Sequence, residues 1–311
     1  MNIIGHKYIY LAISGLLVLG GIAAFMIWGL KEGIDFTGGS LLEVEFQGSG
    51  ISQPDPYKIK QTLDGLDLGT VIVQSAGTPT SAGGNAILLR FKTVDESMHQ
   101  QILARLKSAV PDAGAVVEKR FDTIGPTIGA ELRQRSMLAI VLAIIAIVLY
   151  IAWAFRRVSK PLPSWKYGIV AIATLVHDLV IPTGLFAVLG HLYGVEVDSL
   201  FITALLTIMG FSIHDTIVVF DRTRENLRKT KDGDSYESIV NRSVNETLAR
   251  SINTSLTVLL VLGAIFFFGG ATVHYFSLAL AVGIIFGTYS SIFVASPLLV
   301  IWNNLSRPKS G

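Results

Sequence analysis

Residues 210–226 read GFSIHDTIVVFDRTREN, and the fold turns on how Asp215 in that stretch is interpreted. The stretch is the inner half of an apolar run that begins near Val197 and ends at Phe220. A helix crossing a bilayer there carries a carboxylate close to its middle, which costs roughly 2.5–3.5 kcal/mol on insertion scales. An intramembrane acid is by default a candidate functional residue. The run closes on Asp221, Arg222, Arg224 and Glu225, a charged cluster suited to the cytoplasmic mouth of a helix that emerges into water.

Composition supports the membrane reading. Of 311 residues, 51% are apolar and 15% charged, against about 25% charged in average soluble domains, and the mean hydropathy is +0.56. The net charge of +2 argues against a nucleic-acid partner. With no cysteine, disulfides, thiolate metal sites and cysteine nucleophiles are excluded. No cofactor, metal site or enzymatic activity is expected.

The first apolar run, Tyr8 to Leu30, is too long for a signal peptide and long enough to span, so residues 1–30 are read as an uncleaved first transmembrane helix. Residues 31–135 are polar and rich in turns. Within them LLEVEF (Leu41–Phe46), Thr70–Ser75, NAILLRFK (Asn85–Lys92) and Ala115–Phe121 read as strands. Asp55–Leu66, behind Pro54 and Pro56, and Val94–Val110 read as helices, and Gly77–Gly84 as a loop. The order βαββαβ is the ferredoxin-like split unit. Five further apolar runs, 137–155, 167–189, 197–220, 252–268 and 276–302, fill a transmembrane region of residues 136–305, with a tail over 306–311. The expected fold is thus a multi-pass α-helical membrane protein of six transmembrane helices, with one extracytoplasmic α+β domain between the first and second.

Orientation follows from basic residues in the short loops. Arg156, Arg157, Lys160 and Lys166 follow the second span. Arg222, Arg224, Arg228, Lys229, Lys231, Arg242 and Arg250 follow the fourth, and Arg307 and Lys309 lie in the tail. The loops 190–196 and 269–275 carry no Lys or Arg. Both termini are therefore expected in the cytoplasm. Residues 235–250, with Tyr236, Ile239, Val240, Val244 and Leu248 on one face, read as an amphipathic connector lying on the cytoplasmic interface.

Asp215 has a companion in the third span, where His177 and Asp178 sit at mid-depth. By the rise of 1.5 Å per residue, Asp178 lies about 16 Å and Asp215 about 10 Å from the cytoplasmic ends of their runs. Pro182 is expected to kink the helix and free the Asp178 carbonyl. The nearest cation is Arg250, just before the fifth span. On this reading Asp215 carries a proton, Arg250 is its counter-charge and Asp178 is a relay. The competing reading has Asp215, Asp178, His177 and His214 only joining helices by hydrogen bonds. Ala279, Gly283, Gly287, Ser291 and Ala295 form a four-residue stripe read as helix packing against the fourth span. Asp35, Gly38 and Gly39 belong to a tight turn before the first strand.

Taken together, GIDFTGGSLLEVEF (33–46), GPTIGAEL (125–132), HD (177–178), GFSIHDTIVVFDRTREN, RSINTSL (250–256) and FGGATVHYFSLALAVGIIFGTYSSIFVASP (268–297) resemble the SecF family of protein-export membrane proteins, within the resistance-nodulation-division superfamily. The resemblance implies a subunit in the bacterial inner membrane, among membrane lipids, that works with a separate SecD beside the SecYEG translocon. There proton motive force would assist late steps of preprotein translocation and release. It places the family's key acid on Asp215 and key arginine on Arg250, with Asp178 at a polar position. His214 stands where many relatives have asparagine. Alternatives are a proton-driven exporter of small molecules or lipids, a non-conducting translocon scaffold, and an intramembrane aspartyl protease. The protease needs two acids at one depth sharing a proton.

Overall fold

The computed structural model describes residues 1–47, 55–75, 86–109, 115–156, 162–229 and 234–306. The loop 77–84, the tail residues Arg307 and Lys309, and the basic residues Arg157, Lys160 and Lys231 lie outside the described residues. The chain divides into two units, one of residues 32–136 and one of residues 1–31 with 137–311.

The smaller unit is a four-stranded antiparallel sheet with two helices. Its elements are β1 (Gly39–Gln47), α3 (Pro56–Leu63), β2 (Ile72–Ser75), β3 (Ala86–Phe91), α4 (Glu96–Ala109) and β4 (Ala115–Ile124), after a short α2 (Ile34–Thr37). The strand order is β2-β3-β1-β4, with β1 antiparallel to both β3 and β4 and a bulge at Glu43/Val44. Alternation decides which face is covered. Leu42, Val44 and Phe46 of β1 and Ile87, Leu89 and Phe91 of β3 are buried with Ile59 and Leu63 of α3 and Ile102 and Leu106 of α4. Asp55 caps α3, its carboxylate accepting from the Tyr57 N–H at 2.9 Å, with Pro56 in the first turn.

Gly38 and Gly39 connect α2 to β1 with φ of 73° and 124°. A Cβ on Gly38 would lie 2.8 Å from the Pro126 Cα, and one on Gly39 2.9 Å from the Phe91 carbonyl oxygen. The paired glycines are therefore required twice, by backbone angle and by the close approach of neighbouring main chain. Asp35 lies in the first turn of α2.

Among the described residues, six helical stretches are long and apolar enough to cross a membrane, the second beginning in the smaller unit. They are built from α1 (Lys7–Trp28), α5 (Pro126–Ala154), α6 (Ser164–Tyr193), α7 (Ser199–Lys229), α8 (Tyr236–Phe268), and α9 (Ala271–Ser290) with α10 (Ser296–Ser306). Between α9 and α10 the chain makes a π-helical turn over Ser291–Ala295. Pro297 supplies a cause: it has no N–H to donate, and its ring would clash with the Phe293 carbonyl in a regular helix. Glycines set the closest crossings. A Cβ on Gly184 would lie 2.3 Å from the Gly21 Cα, joining α6 to α1, and one on Gly283 would lie 2.2 Å from the Ile208 Cδ1 of α7.

Two expectations need correction. The amphipathic segment 235–250 is not a separate helix on the interface, because it continues without a break into the fifth span as α8. Its apolar face is buried in protein: Tyr236, Val240 and Val244 pack with Ile3 and Ile4 of the N-terminal segment. The Asn241 Oδ1 accepts the Ile3 and Ile4 N–H groups at 2.9 and 3.2 Å. The depths of the two acids also change. Asp178 and Asp215 each sit fourteen residues from the same-side ends of their helices, Ser164 and Lys229, so they share a level. The estimate from apolar runs stopped at Asp221 and Arg222, whereas α7 continues through its charged turns to Lys229.

Replacing Gly39 by alanine imposes a backbone angle and a contact that no L-residue accommodates, a strain of about 1–3 kcal/mol or more. We expect Gly39→Ala to lower the thermal unfolding midpoint of the purified protein. Gly15→Ala on α1, where an added Cβ meets nothing within 4 Å, should leave it unchanged or raised.

Candidate functional site

Two apolar clusters flank a polar level in the helical unit. One gathers Tyr167, Leu175, Ile213, Phe220, Val240 and Leu299, and the other Phe186, Phe201, Ala204, Ile208, Ala279 and Ile284. Along α6 Asp178, and at the end of α9 Ser290 and Ser291, fall between the two clusters, while Ser212 and Asp215 of α7 lie among residues of the first; all five are buried.

Asp178 on α6 is fully enclosed. His177 donates from Nδ1 to its Oδ1 at 2.7 Å, and Ser212 of α7 and Ser290 of α9 donate to its Oδ2 at 2.5 and 2.7 Å. The His177 ring lies 6.3 Å from Tyr289, nearly parallel to it. Asp215 on α7 is 8% exposed. Ser251 of α8 donates to its Oδ1 at 2.6 Å, and Ser291 donates to its Oδ2. Consecutive residues point about 100° apart on a helix, so the neighbours Ser290 and Ser291 reach two different helices. Further along, Ser255 of α8 hydrogen-bonds Thr288 of α9. A π turn opening at Ser291 suits this position, since such insertions concentrate at functional sites.

No Lys or Arg hydrogen-bonds either carboxyl group among the described residues. Ser291 Oγ also lies 3.0 Å from the Thr288 carbonyl oxygen, and Ser290 Oγ 3.1 Å from the Gly287 carbonyl oxygen. Each hydroxyl has one proton and two acceptors within reach. Beside an ionised carboxylate the proton points at the carboxylate. Beside a neutral carboxylic acid it can turn to the backbone carbonyl while the acid donates to Oγ. Rotation of the hydroxyl protons alone meets either protonation state, but it brings no counter-charge to the ionised acid.

The other residues singled out from the sequence lie elsewhere. Arg250 is exposed and makes no ion pair among the described residues, so the expected Asp215–Arg250 pair is not formed. The next residue, Ser251, occupies the face of α8 turned to α7. His214 is exposed and lines a cleft of about 410 Å³ with Ala146, Ile147 and Tyr150 of α5 rather than joining Asp215. Asp221 and Arg222 are more than a turn away. Arg224 pairs with Asp221 at 3.3 Å, and Arg222 pairs with Glu225 and with Glu246 of α8, both at 2.6 Å. Gly283 meets Ile208, and a Cβ on Gly287 would lie 3.4 Å from Ser212 and 3.7 Å from the Asp178 carboxylate. Ser291, read as a packing residue, hydrogen-bonds Asp215. Nothing in the sequence pattern singles out Ser212 or Ser251, and only the pairing of Ser290 with Ser291 in an apolar run points to Ser290. Among the described residues no cluster of three or more His, Asp or Glu could hold a metal ion.

The profile of the family described as protein export membrane protein SecD/SecF, C-terminal, matches residues 104–305, and that of the SecD/SecF GG motif matches residues 29–49. The chain is 42% identical over 98% of its length to the protein translocase subunit SecF of Thermobaculum terrenum, and 42% identical over 98% to that of Anaerolinea thermophila, covering 94% of each. It matches the crystal structure of SecDF, a translocon-associated membrane protein from Thermus thermophilus, with a TM-score of 0.79 at 32% identity over 98% of this chain. The chain spans only 39% of that larger protein. With matches across nearly its whole length and six membrane-crossing helices in place, this multi-pass membrane protein belongs to the SecF family of protein translocase subunits.

Proposed function

We propose that this chain is the proton-responsive half of a SecD–SecF pair in the bacterial inner membrane. It takes up protons on Asp215 to assist late preprotein translocation and release at the SecYEG translocon. The carrying observation is Asp215 itself, buried between helices and held by Ser251 and Ser291, with no Lys or Arg bonded to it among the described residues. The partner assignment rests on the resemblance to SecDF. In this reading both termini lie in the cytoplasm and the sheet unit outside, supported by the crowding of basic residues in the loops at one end of the spans.

The cycle follows from the hydroxyl geometry and from the position of Arg250. When Asp215 is neutral, the serine pair satisfies it as in this arrangement. When it ionises, a buried carboxylate without a counter-charge is costly. A roll of α8 by about 100°, one residue on a helix, would replace Ser251 with Arg250 opposite Asp215. Asp178, held by three donors, would serve as polar partner or relay at the same level. One proton moving through the membrane potential supplies about 2.3 kcal/mol per 100 mV, enough to bias a two-state equilibrium by more than tenfold. One solved SecDF structure, described as a super-membrane-facing form, matches this chain with a TM-score of 0.65 against 0.79 for the other, both at 32% identity, which supports more than one shape for that protein. The protease reading loses ground: each acid bonds serines, and no hydrogen bond joins the two carboxyl groups among the described residues.

In vesicles containing the protein with its SecD partner, Asp215→Asn is expected to assemble normally and to lose the gradient-stimulated part of preprotein release. Undiminished stimulation would remove the proton role. A hydrogen bond to a charged group contributes about 1.5–3 kcal/mol. Ser291→Ala is therefore expected to reduce gradient-stimulated release by about tenfold or more, while Ser291→Thr, which keeps the hydroxyl, retains most of it. Equal rates for the two variants would show that the hydroxyl has no part in the cycle.

A further inference from the structure

Lys166 lies in the first turn of α6 and is only 8% exposed. Among the described residues no carboxylate pairs with it. Its ammonium donates to the Ser306 hydroxyl at the end of α10 and lies 5.6 Å from the Trp165 ring centroid and 5.4 Å from that of Trp302. The two indoles meet edge to face, with centroids 5.3 Å apart. The ring faces offset part of the desolvation of the ammonium, and a neutral hydroxyl adds one hydrogen bond. Neither cancels the charge, and the positive end of the α6 dipole adds to it. An anion is the missing complement.

Trp302 also lines an apolar groove of about 300 Å³ between α6 and α10, with Ile169, Val170, Ala173, Leu298, Ile301 and Leu305, and Ile169 and Val170 lie one helical turn from Lys166. From Lys166 to Ala173 the groove runs about 10 Å along the helix axis at 1.5 Å per residue. That is a large part of the ~15 Å half-thickness of a bilayer core. Tryptophans and lysines at a helix end belong at the headgroup level. A soluble anion would satisfy Lys166 and leave the groove unused.

We propose that this groove holds an acyl chain of an anionic phospholipid whose phosphate is bound by Lys166. The lipid seals α6 against α10, on the helices that carry Asp178 and follow Ser291. Recognition divides along the molecule: the ammonium and the flanking indoles select the headgroup, and the aliphatic lining takes the chain.

The test uses the full-length protein in phosphatidylcholine vesicles with a varied fraction of phosphatidylglycerol, either lipid carrying brominated acyl chains that quench tryptophan fluorescence. Trp165 and Trp302 report on the groove, while Trp28 and Trp153 give the background. One basic residue near an anionic lipid gives about a fivefold preference. Brominated phosphatidylglycerol should therefore quench at about fivefold lower mole fraction than brominated phosphatidylcholine. Lys166→Gln should abolish that preference and Lys166→Arg retain it. Ala173→Phe, which fills the groove from an exposed position and leaves Lys166 intact, should remove the preferential quenching and so tests the idea even if Lys166→Gln does not fold. Equal titration by the two lipids, or a preference that survives Lys166→Gln, overturns the proposal. So does competition by free glycerol phosphate, which would mark a small-anion site.

Discussion

Two carboxyl groups buried at one level of a helical bundle, with no Lys or Arg among their hydrogen-bond partners in the described residues, constrain the rest of the membrane unit. In a medium of low dielectric such groups persist only if every oxygen meets a donor. Here the donors are mainly serine hydroxyls, which are short, so the helices must come close enough for Ser212, Ser251, Ser290 and Ser291 to reach. The small residues that bring α9 against α7 and α6 serve that end. Gly283 admits Ile208, and Gly287 lies where a side chain would press on Ser212 and Asp178. Packing and polar satisfaction are one requirement at this level.

The serine donors differ from an arginine clamp in the charge states of the acid that they can satisfy. A guanidinium has donors only and favours the ionised acid. A hydroxyl donates or accepts, and the alternative acceptors on Thr288 and Gly287 let it change role without moving a heavy atom. The apolar clusters packed around these groups give them surroundings of low polarity, which strengthens each of these contacts.

Much of the architecture was legible in the sequence because it rests on periodicity. The alternation of Leu42, Val44 and Phe46 gave a covered strand, and the apolar runs gave the spans. Charge was a poorer guide to helix ends. Asp221 and Arg222 mark where α7 meets water, not where it stops, and the polar face of 236–250 concealed a continuation of α8. At the site, the acids were legible because a charge in an apolar run stands out. Their partners were not, since serine is common wherever helices pack closely. Arg250 was the obvious counter-charge in sequence, yet its neighbour Ser251 faces α7, a difference of one residue that only the rotational phase of the helix decides. The π turn before Pro297 altered that phase in the last span with no signal beyond the proline itself.

The unbroken length of α8 has a mechanical corollary. Its 33 residues run from Tyr236 to Phe268 as one rod, with Ser251 near the middle. Toward its start, Asn241 and Asn245 grip the main chain of Met1, Ile3 and Ile4, Glu237 holds Lys7 at 2.6 Å, and Glu246 is tied to Arg222. Torsion at mid-membrane is therefore not a private event. Were α8 to turn at Ser251, these contacts would carry the turn to the N-terminal residues and the root of α1.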